Sequence, residues 1–217
     1  MTRALALLMA PLMALLLCGA ALAQPLPTRA QALRTLQHPQ APERAAAVAR
    51  LAEVGTMADS AQLAQRLRDE DQGVRELATS ALWMIWNRSG DAAIDRLLAR
   101  GVQQMGDGDL QAALASFDRV VRRKPAFAEG WNKRATVRFM LGDDAASLKD
   151  CEQVLRRNPL HFGALSGMAQ IHLRRGDLDL ALQAWVRALQ ANPNIDGGMD
   201  VLQRLEEAVR RQGGEPV

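Results

Sequence analysis

Tyrosine is absent from this chain, and phenylalanine and tryptophan together bring aromatics to only 4% of its 217 residues. Strand-rich folds draw on aromatic and β-branched residues, so the shortage argues against them. Histidine occurs three times, at His38, His161 and His172, with no pair at the four-residue spacing that puts two ligands on one helix face. No metal or other cofactor is therefore expected. A glycine-rich phosphate loop is missing too, because "GDGD" from Gly106 has no lysine after it. Charge of either sign is nearly balanced, 27 Lys+Arg against 24 Asp+Glu. The arginines are spread along alternating-charge stretches, which gives no basic patch for a nucleic-acid partner.

Cysteine is scarce as well, with Cys18 and Cys151 only. The first of these lies in "MTRALALLMAPLMALLLCGAALAQ", where one cation, an apolar run and a small-x-small ending at Ala21-Leu22-Ala23 have the layout of a secretory signal peptide spanning 1–23. Cleavage after Ala23 sends the rest to the periplasm or outside the cell. Membrane attachment would come only from a lipid on Cys18, which bulky Leu17 disfavours, or from an uncleaved span, which Pro11 and the Ala-x-Ala ending disfavour. Once cleaved, the chain keeps one thiol and no intrachain disulfide, so packing must stabilise it.

Alanine, leucine and arginine dominate what is present, and these are helix formers. Three stretches carry the same punctuation: "GDGDLQAALASFDRVVRRKP" (106–125), "LGDDAASLKDCEQVLRRNP" (141–159) and "RGDLDLALQAWVRALQANP" (175–193). Pro125, Pro159 and Pro193 are 34 residues apart, as are Gly108, Gly142 and Gly176, each followed by aspartate at Asp109, Asp143 and Asp177. A fixed period of this length announces a solenoid. Glycine takes the left-handed backbone that stops one helix, aspartate accepts the free amides that open the next, and proline ends it. Small residues recur at Gly101/Ala135/Ala169 and Ala113/Ser147/Ala181, where two helices of a hairpin approach closely. Larger knobs stand at Leu97/Trp131/Leu165 and Phe117/Cys151/Trp185.

On these columns the chain resembles the tetratricopeptide repeat family, in three units at 93–126, 127–160 and 161–194. Gln104, Arg138 and His172 stand where the family has tyrosine, and Arg100 and Arg134 where it has leucine, departures expected to loosen packing between repeats. From Gly197, "GGMDVLQRLEEAVRR" sets Met199, Leu202, Leu205 and Val209 on one stripe, the cap helix of a 195–217 tail. Ahead of the repeats, residues 42–92 read as three helices. Leu67, Asp69, Asp71, Val74, Arg75, Ala78, Ala81 and Leu82 resemble the turn and second helix of a HEAT repeat. Residues 24–41 read as a flexible leader with a short helix. The expected fold is an all-α, right-handed helical-hairpin solenoid of three repeats with a cap helix, preceded by HEAT-like helices in one continuous superhelix. Trp83 and Trp86, just before the first repeat helix, would form the packing joint between the two parts, with a ligand-facing role as the alternative.

The resemblance implies a concave face, lined by the first helix of each unit, that binds extended peptides or partner helices. The candidate contacts are Leu98, Val102 and Met105; Asn132, Thr136, Phe139 and Met140; and Ser166, Gln170, Leu173 and Arg174. Family members that grip a C-terminal carboxylate use lysine, arginine and asparagine there. Leu98, Val102, Ser166 and Gln170 argue against that mode, while Met105, Phe139 and Met140 suit an adaptable apolar contact. Should the helix around Trp83 cover Leu98 and Val102, the strip narrows to Asn132, Thr136, Phe139, Gln170, Leu173 and Arg174. Cys151 and His172 fall on inward columns and read as structural. The expected function is an exported, non-enzymatic scaffold for a segment of an envelope protein. The alternatives are an enzyme or cofactor protein acting through Cys151 or His172, and a self-associating structural subunit.

Overall fold

The computed structural model describes residues 25–213. The expected signal peptide, Cys18 with it, lies outside the described residues, which form eleven α-helices, two 3-10 turns and no strand. Six helices make three hairpins: α5 (Ala92–Gly106) with α6 (Leu110–Arg123), α7 (Ala128–Met140) with α8 (Asp144–Arg157), and α9 (Phe162–Arg175) with α10 (Leu178–Ala191). α11 (Gly198–Gln212) follows them, and α1 (Arg29–Thr35), α2 (Ala41–Val54), α3 (Ser60–Gln65) and α4 (Gln72–Trp86) precede them.

The hairpin turns are built as the 34-residue punctuation requires. Gly108, Gly142 and Gly176 have φ of 80°, 82° and 80°, a conformation that side chains resist. Asp109 and Asp143 then cap α6 and α8, accepting from the amides of Ala112 and Ala146. Asp177 makes no such cap bond. It turns to His172 at 3.5 Å and Arg175 at 3.2 Å instead. The small-residue column also does what close approach demands: a Cβ on Gly101 would lie 2.6 Å from the Phe117 ring.

The three hairpins bury different things. The first has an apolar core of Ile94, Leu98, Phe117, Val120 and Val137. The third packs Ala169, Ala181 and Trp185 under Leu205 of α11, and the Trp185 indole donates to the Gly198 carbonyl at 2.9 Å. α11 thus caps the array, although Met199 stays 66% exposed rather than joining the apolar stripe. The middle hairpin is polar inside. Arg134 grips buried Asp150 at 2.8 and 2.7 Å and reaches Asp118 of the preceding repeat at 2.8 Å, while Arg138 joins Asp150 at 2.8 Å. Arg134 and Arg138, expected to loosen the packing, are therefore bonded into it, while Arg100 is exposed. Gln104 accepts from the Ser116 hydroxyl at 2.6 Å in the same spirit. Trp131, expected as an interior knob, is half-buried under the guanidinium groups of Arg134 and Arg157, 4.8 and 4.7 Å from its ring centre.

In the front segment the local geometry matches expectation. Asp71 caps α4 through the Val74 amide, and Arg75 reaches back to the Asp69 and Glu70 carbonyls. α1 is packed rather than loose, with Ala32 and Leu36 buried among Val48, Leu51, Leu63 and Leu82. The placement of the segment differs from expectation, because it does not extend the superhelix. Trp83 and Trp86 pack on His161 and Phe162 at the start of α9, with ring centres 4.7–5.4 Å apart, and the cluster takes in Leu160, Ala191 and Ile195. Asn194 donates to the Leu67 carbonyl at 2.7 Å, Arg68 reaches the Gln190 carbonyl, and Lys124 reaches that of Ser89. The front helices thus lie across the row of turns that join one repeat to the next. The reason is apolar supply: those turns present Leu160, Phe162 and Ile195, whereas α5 already has its cover from α6 and from Val137 of α7.

Candidate functional site

On the face opened between α7 and α9 lies a cleft of about 200 Å³, walled by Asn132, Ala135, Thr136 and Phe139 on α7 and by Gly163, Ser166, Gly167, Gln170 and Ile171 on α9. Ser147 and Cys151 of α8 form its floor. The cleft exists because α9 offers its smallest residues here. Gly167 leaves the Cys151 sulfur 3.9 Å from where a Cβ would sit, and Gly163 is filled by Trp83, 2.5 Å from the equivalent point. The front segment therefore packs against α9 at Gly163, a residue that also borders the cleft.

Asn132 is held in place from behind. Its Nδ2 donates to both oxygens of the Glu129 carboxylate at 3.2 Å, and that carboxylate is fully buried. His161 contributes the third contact, Nε2 to Oε2 at 3.0 Å, and Lys133 the fourth, at 3.1 Å. The His161 Nδ1 accepts from the Ala164 amide at 3.1 Å, which leaves the proton on Nε2, facing Glu129. Burial pushes the Glu129 carboxyl up, but the hydrogen bond from His161 and the charge and hydrogen bond of Lys133 outweigh it and hold the group below the usual carboxylate range. An unbroken line of contacts thus runs from Trp86, stacked 4.7 Å from His161, through Glu129 to Asn132 at the cleft wall.

The other candidate contacts divide. Thr136 and Gln170 line the cleft and are exposed, and Phe139 forms its far wall. Leu173 and Met140, half exposed at 49% and 50%, and Val102, at 38%, lie outside it. Leu98 is buried at 5%, covered by Phe117 and Val137 and not by Trp83, so it is no groove contact. Met105 packs half-buried on the same cluster. Arg174 is already engaged: it pairs with Asp144, donates to the Phe139 carbonyl at 3.0 Å and lies 3.8 Å over the Phe139 ring, so it locks the second and third hairpins together.

Cys151 sits 3% exposed, and burial, followed by the neighbouring Asp150 charge, pushes its thiol up to about 12. It is a neutral wall group at ordinary pH, not a nucleophile. His172 faces Asp177 at the end of α9. No group of three or more His, Cys, Asp or Glu side chains able to hold a metal occurs among the described residues. Sequence reasoning passed over the Glu129–His161 pair. The available signal was the column Phe127/His161/Ile195, which places a histidine at a position its repeat-mates fill with large apolar groups.

Stacked two-helix units with glycine turns, a shared groove and a terminal cap define a helical-hairpin repeat protein. Residues 98–152 and 145–194 match the model of the tetratricopeptide repeat family, so that stretch of the chain is built of tetratricopeptide repeats. A TPR repeat-containing protein of Rhizobium etli is 38% identical over 79 residues, which are 36% of this chain and 39% of that relative. The chain therefore matches well under half of that relative's length. Among solved structures, the first TPR of Spaghetti (RPAP3) bound to the HSP90 peptide SRMEEVD has a TM-score of 0.51 at 20% identity and covers 54% of this chain and 92% of its own. The Sgt2 TPR domain from Aspergillus fumigatus has a TM-score of 0.53 at 19% identity, covering 58% and 87%. The TPR2B domain of yeast Sti1, in a pHsp70 complex, has 0.51 at 17%, covering 56% and 99%. At these identities the likeness shows the shared fold.

Proposed function

We propose that this chain is a non-enzymatic scaffold that seats an extended segment of another protein in the α7–α9 cleft. The observation that carries the reading is the cleft itself: buried Ala135, Cys151 and Ile171 give it an apolar lining beside the Ser147 hydroxyl and the buried Asn132 amide, and exposed Gln170 stands at its edge. Such a site takes one bulky apolar side chain on its floor and offers the rim amides to a peptide main chain. Two of the structural neighbours were solved with a peptide or partner, which supports a binding role for the fold. No lysine or arginine lines the cleft, so the favoured segment is apolar and polar rather than acidic. The amino-terminal layout supports export, and an envelope protein is the partner class that export brings within reach. Exposed Met140 and Leu173 beside the cleft favour a second reading, self-association, which light scattering over a range of concentrations distinguishes.

Affinity capture from envelope extract tests the main reading, using wild type and a Phe139→Ala/Gln170→Ala variant whose helicity is first matched by circular dichroism. A partner retained by wild type and lost by the variant is the expected result. The same partners from both would remove the cleft from the account. Export is tested separately by fractionating cells that carry a C-terminally tagged full chain. A shortened product in the periplasm or medium is expected, and full-length protein confined to the cytoplasm would reject it.

A further inference from the structure

A second pocket, of about 210 Å³, opens at the seam between the front helices and the repeats. Met57, Trp86 and Phe127 give it apolar walls, and Arg88, Lys124 and Arg157 give it three cations. None of the three belongs to an ion pair among the described residues. Each leans on main-chain oxygens instead: Arg88 on the Ala52 and Glu53 carbonyls at the end of α2, Lys124 on Ser89, and Arg157 on Pro125 and Gln153. A helix C-terminus offsets about half a unit of charge, so the pocket remains positive. The carboxylate close enough for Lys124 to influence is Asp91, which is committed to the Ala93 and Ile94 amides and does not line the pocket.

Donors are left over as well. The Arg88 Nε is buried without a partner. Only the Nε and Nη1 of Arg157 are engaged, and its guanidinium lies below its usual range because of burial and then Arg156, as a cation with no acid beside it does. Three partly exposed cations beside apolar walls, with no acid among the pocket's lining residues, favour an anion that answers them.

We infer that the seam pocket binds a small organic anion with an apolar body, of the aryl- or alkyl-carboxylate class. Its carboxylate accepts from Lys124 and Arg157, and its body lies against Met57 and Phe127. A bare inorganic anion leaves the apolar walls wet, and a neutral molecule leaves the cations unanswered. Because the walls come from both the front segment and the repeats, an occupied pocket holds the two together, and occupancy raises the unfolding temperature by mass action.

Calorimetric titration of the purified full chain tests this with benzoate as the probe, benzyl alcohol as the neutral counterpart and inorganic phosphate as the bare anion. Benzoate is expected to bind one to one and raise the melting temperature, and the other two to bind about tenfold more weakly or not at all. Lys124→Gln and Arg157→Gln should each weaken benzoate about tenfold, while Arg156→Gln, outside the pocket, should not. A readout on unaltered protein guards against variants that misfold: nuclear Overhauser contacts from benzoate protons to the labelled Met57 methyl are expected. Benzoate that fails to bind at millimolar concentration, benzyl alcohol or phosphate binding as tightly as benzoate, or contacts confined to other methionines would each overturn the inference.

Discussion

The tandem hairpins and the four helices in front of them use similar helix-forming residues and achieve burial in opposite ways. In the hairpins the glycine turns recur at each 34-residue step even though the interiors differ, so each unit leans on its neighbour and one spacing writes the array. The front segment has no period. It is anchored by an aromatic cluster and by bonds that span 122 and 127 residues of sequence, Arg68 to Gln190 and Asn194 to Leu67. One region is held by repetition, the other by a single seam, so the seam is where one substitution should do most.

Trp86→Ala is the harshest way to break the comparison. The ring is 1% exposed, stacks on His161 and donates to the Ser60 hydroxyl at 3.1 Å. Its loss should cost about 3–5 kcal/mol in urea unfolding, and hydrogen exchange should rise across 29–86 before it rises in the hairpins. Uniform loss of protection throughout the chain would show that the two regions are not separable. Next in size is the polar middle hairpin. Asp150→Asn leaves Arg134 and Arg138 facing each other in a nearly closed space and should cost about 2–3 kcal/mol, whereas an Arg134→Met/Asp150→Leu pair should recover part of it in a double-mutant cycle. Gly142→Ala, forcing a side chain to φ 82°, should cost about 1–2 kcal/mol. Asp109→Ala should cost about 1 kcal/mol through its lost cap, and Asp177→Ala, which removes no cap bond, clearly less.

Acid provides the mildest comparison near neutrality. Asp69 is held below the usual carboxylate range by the Arg44 hydrogen bond, against burial. Asp59 is held there because Arg29 and the Thr56 amide outweigh burial. Glu129 behaves likewise at the seam. Carboxyls depressed in the folded chain contribute stability that is fully present above their unfolded pKa, about 4, and is lost as pH falls through the lower folded values. The melting temperature should therefore change little between about pH 7 and 5 and drop below about pH 4. Asp69→Asn should flatten that drop.

Much of this was legible because repetition converts tertiary contact into spacing. Gly108, Gly142 and Gly176 with their aspartates announced the turns, and Gly101 the close approach to Phe117. The seam could not be read the same way. Nothing in the order of residues says that Trp83 and Trp86 should prefer Phe162 to the adjacent α5, since that choice depends on which apolar groups each surface has left uncovered. The concave strip was half legible for the same reason. Helical spacing put Asn132, Thr136, Phe139 and Gln170 on one face, but only packing reveals that Leu98 is covered and that Arg174 is taken by Asp144. Arginine at a leucine column looked like a defect because its partners, Asp118 and Asp150, are 16 residues away on either side.

The claim on which the rest depends is that the α7–α9 cleft is where a partner segment sits. A photoreactive amino acid placed at position 170 on the cleft rim, and at position 187 on α10 outside the cleft as its control, tests that claim directly when both proteins are irradiated in their native compartment. One discrete adduct from position 170, absent from position 187 and suppressed by Phe139→Ala, is the expected result. Adducts from position 187 alone, or equal labelling from both positions, would contradict it.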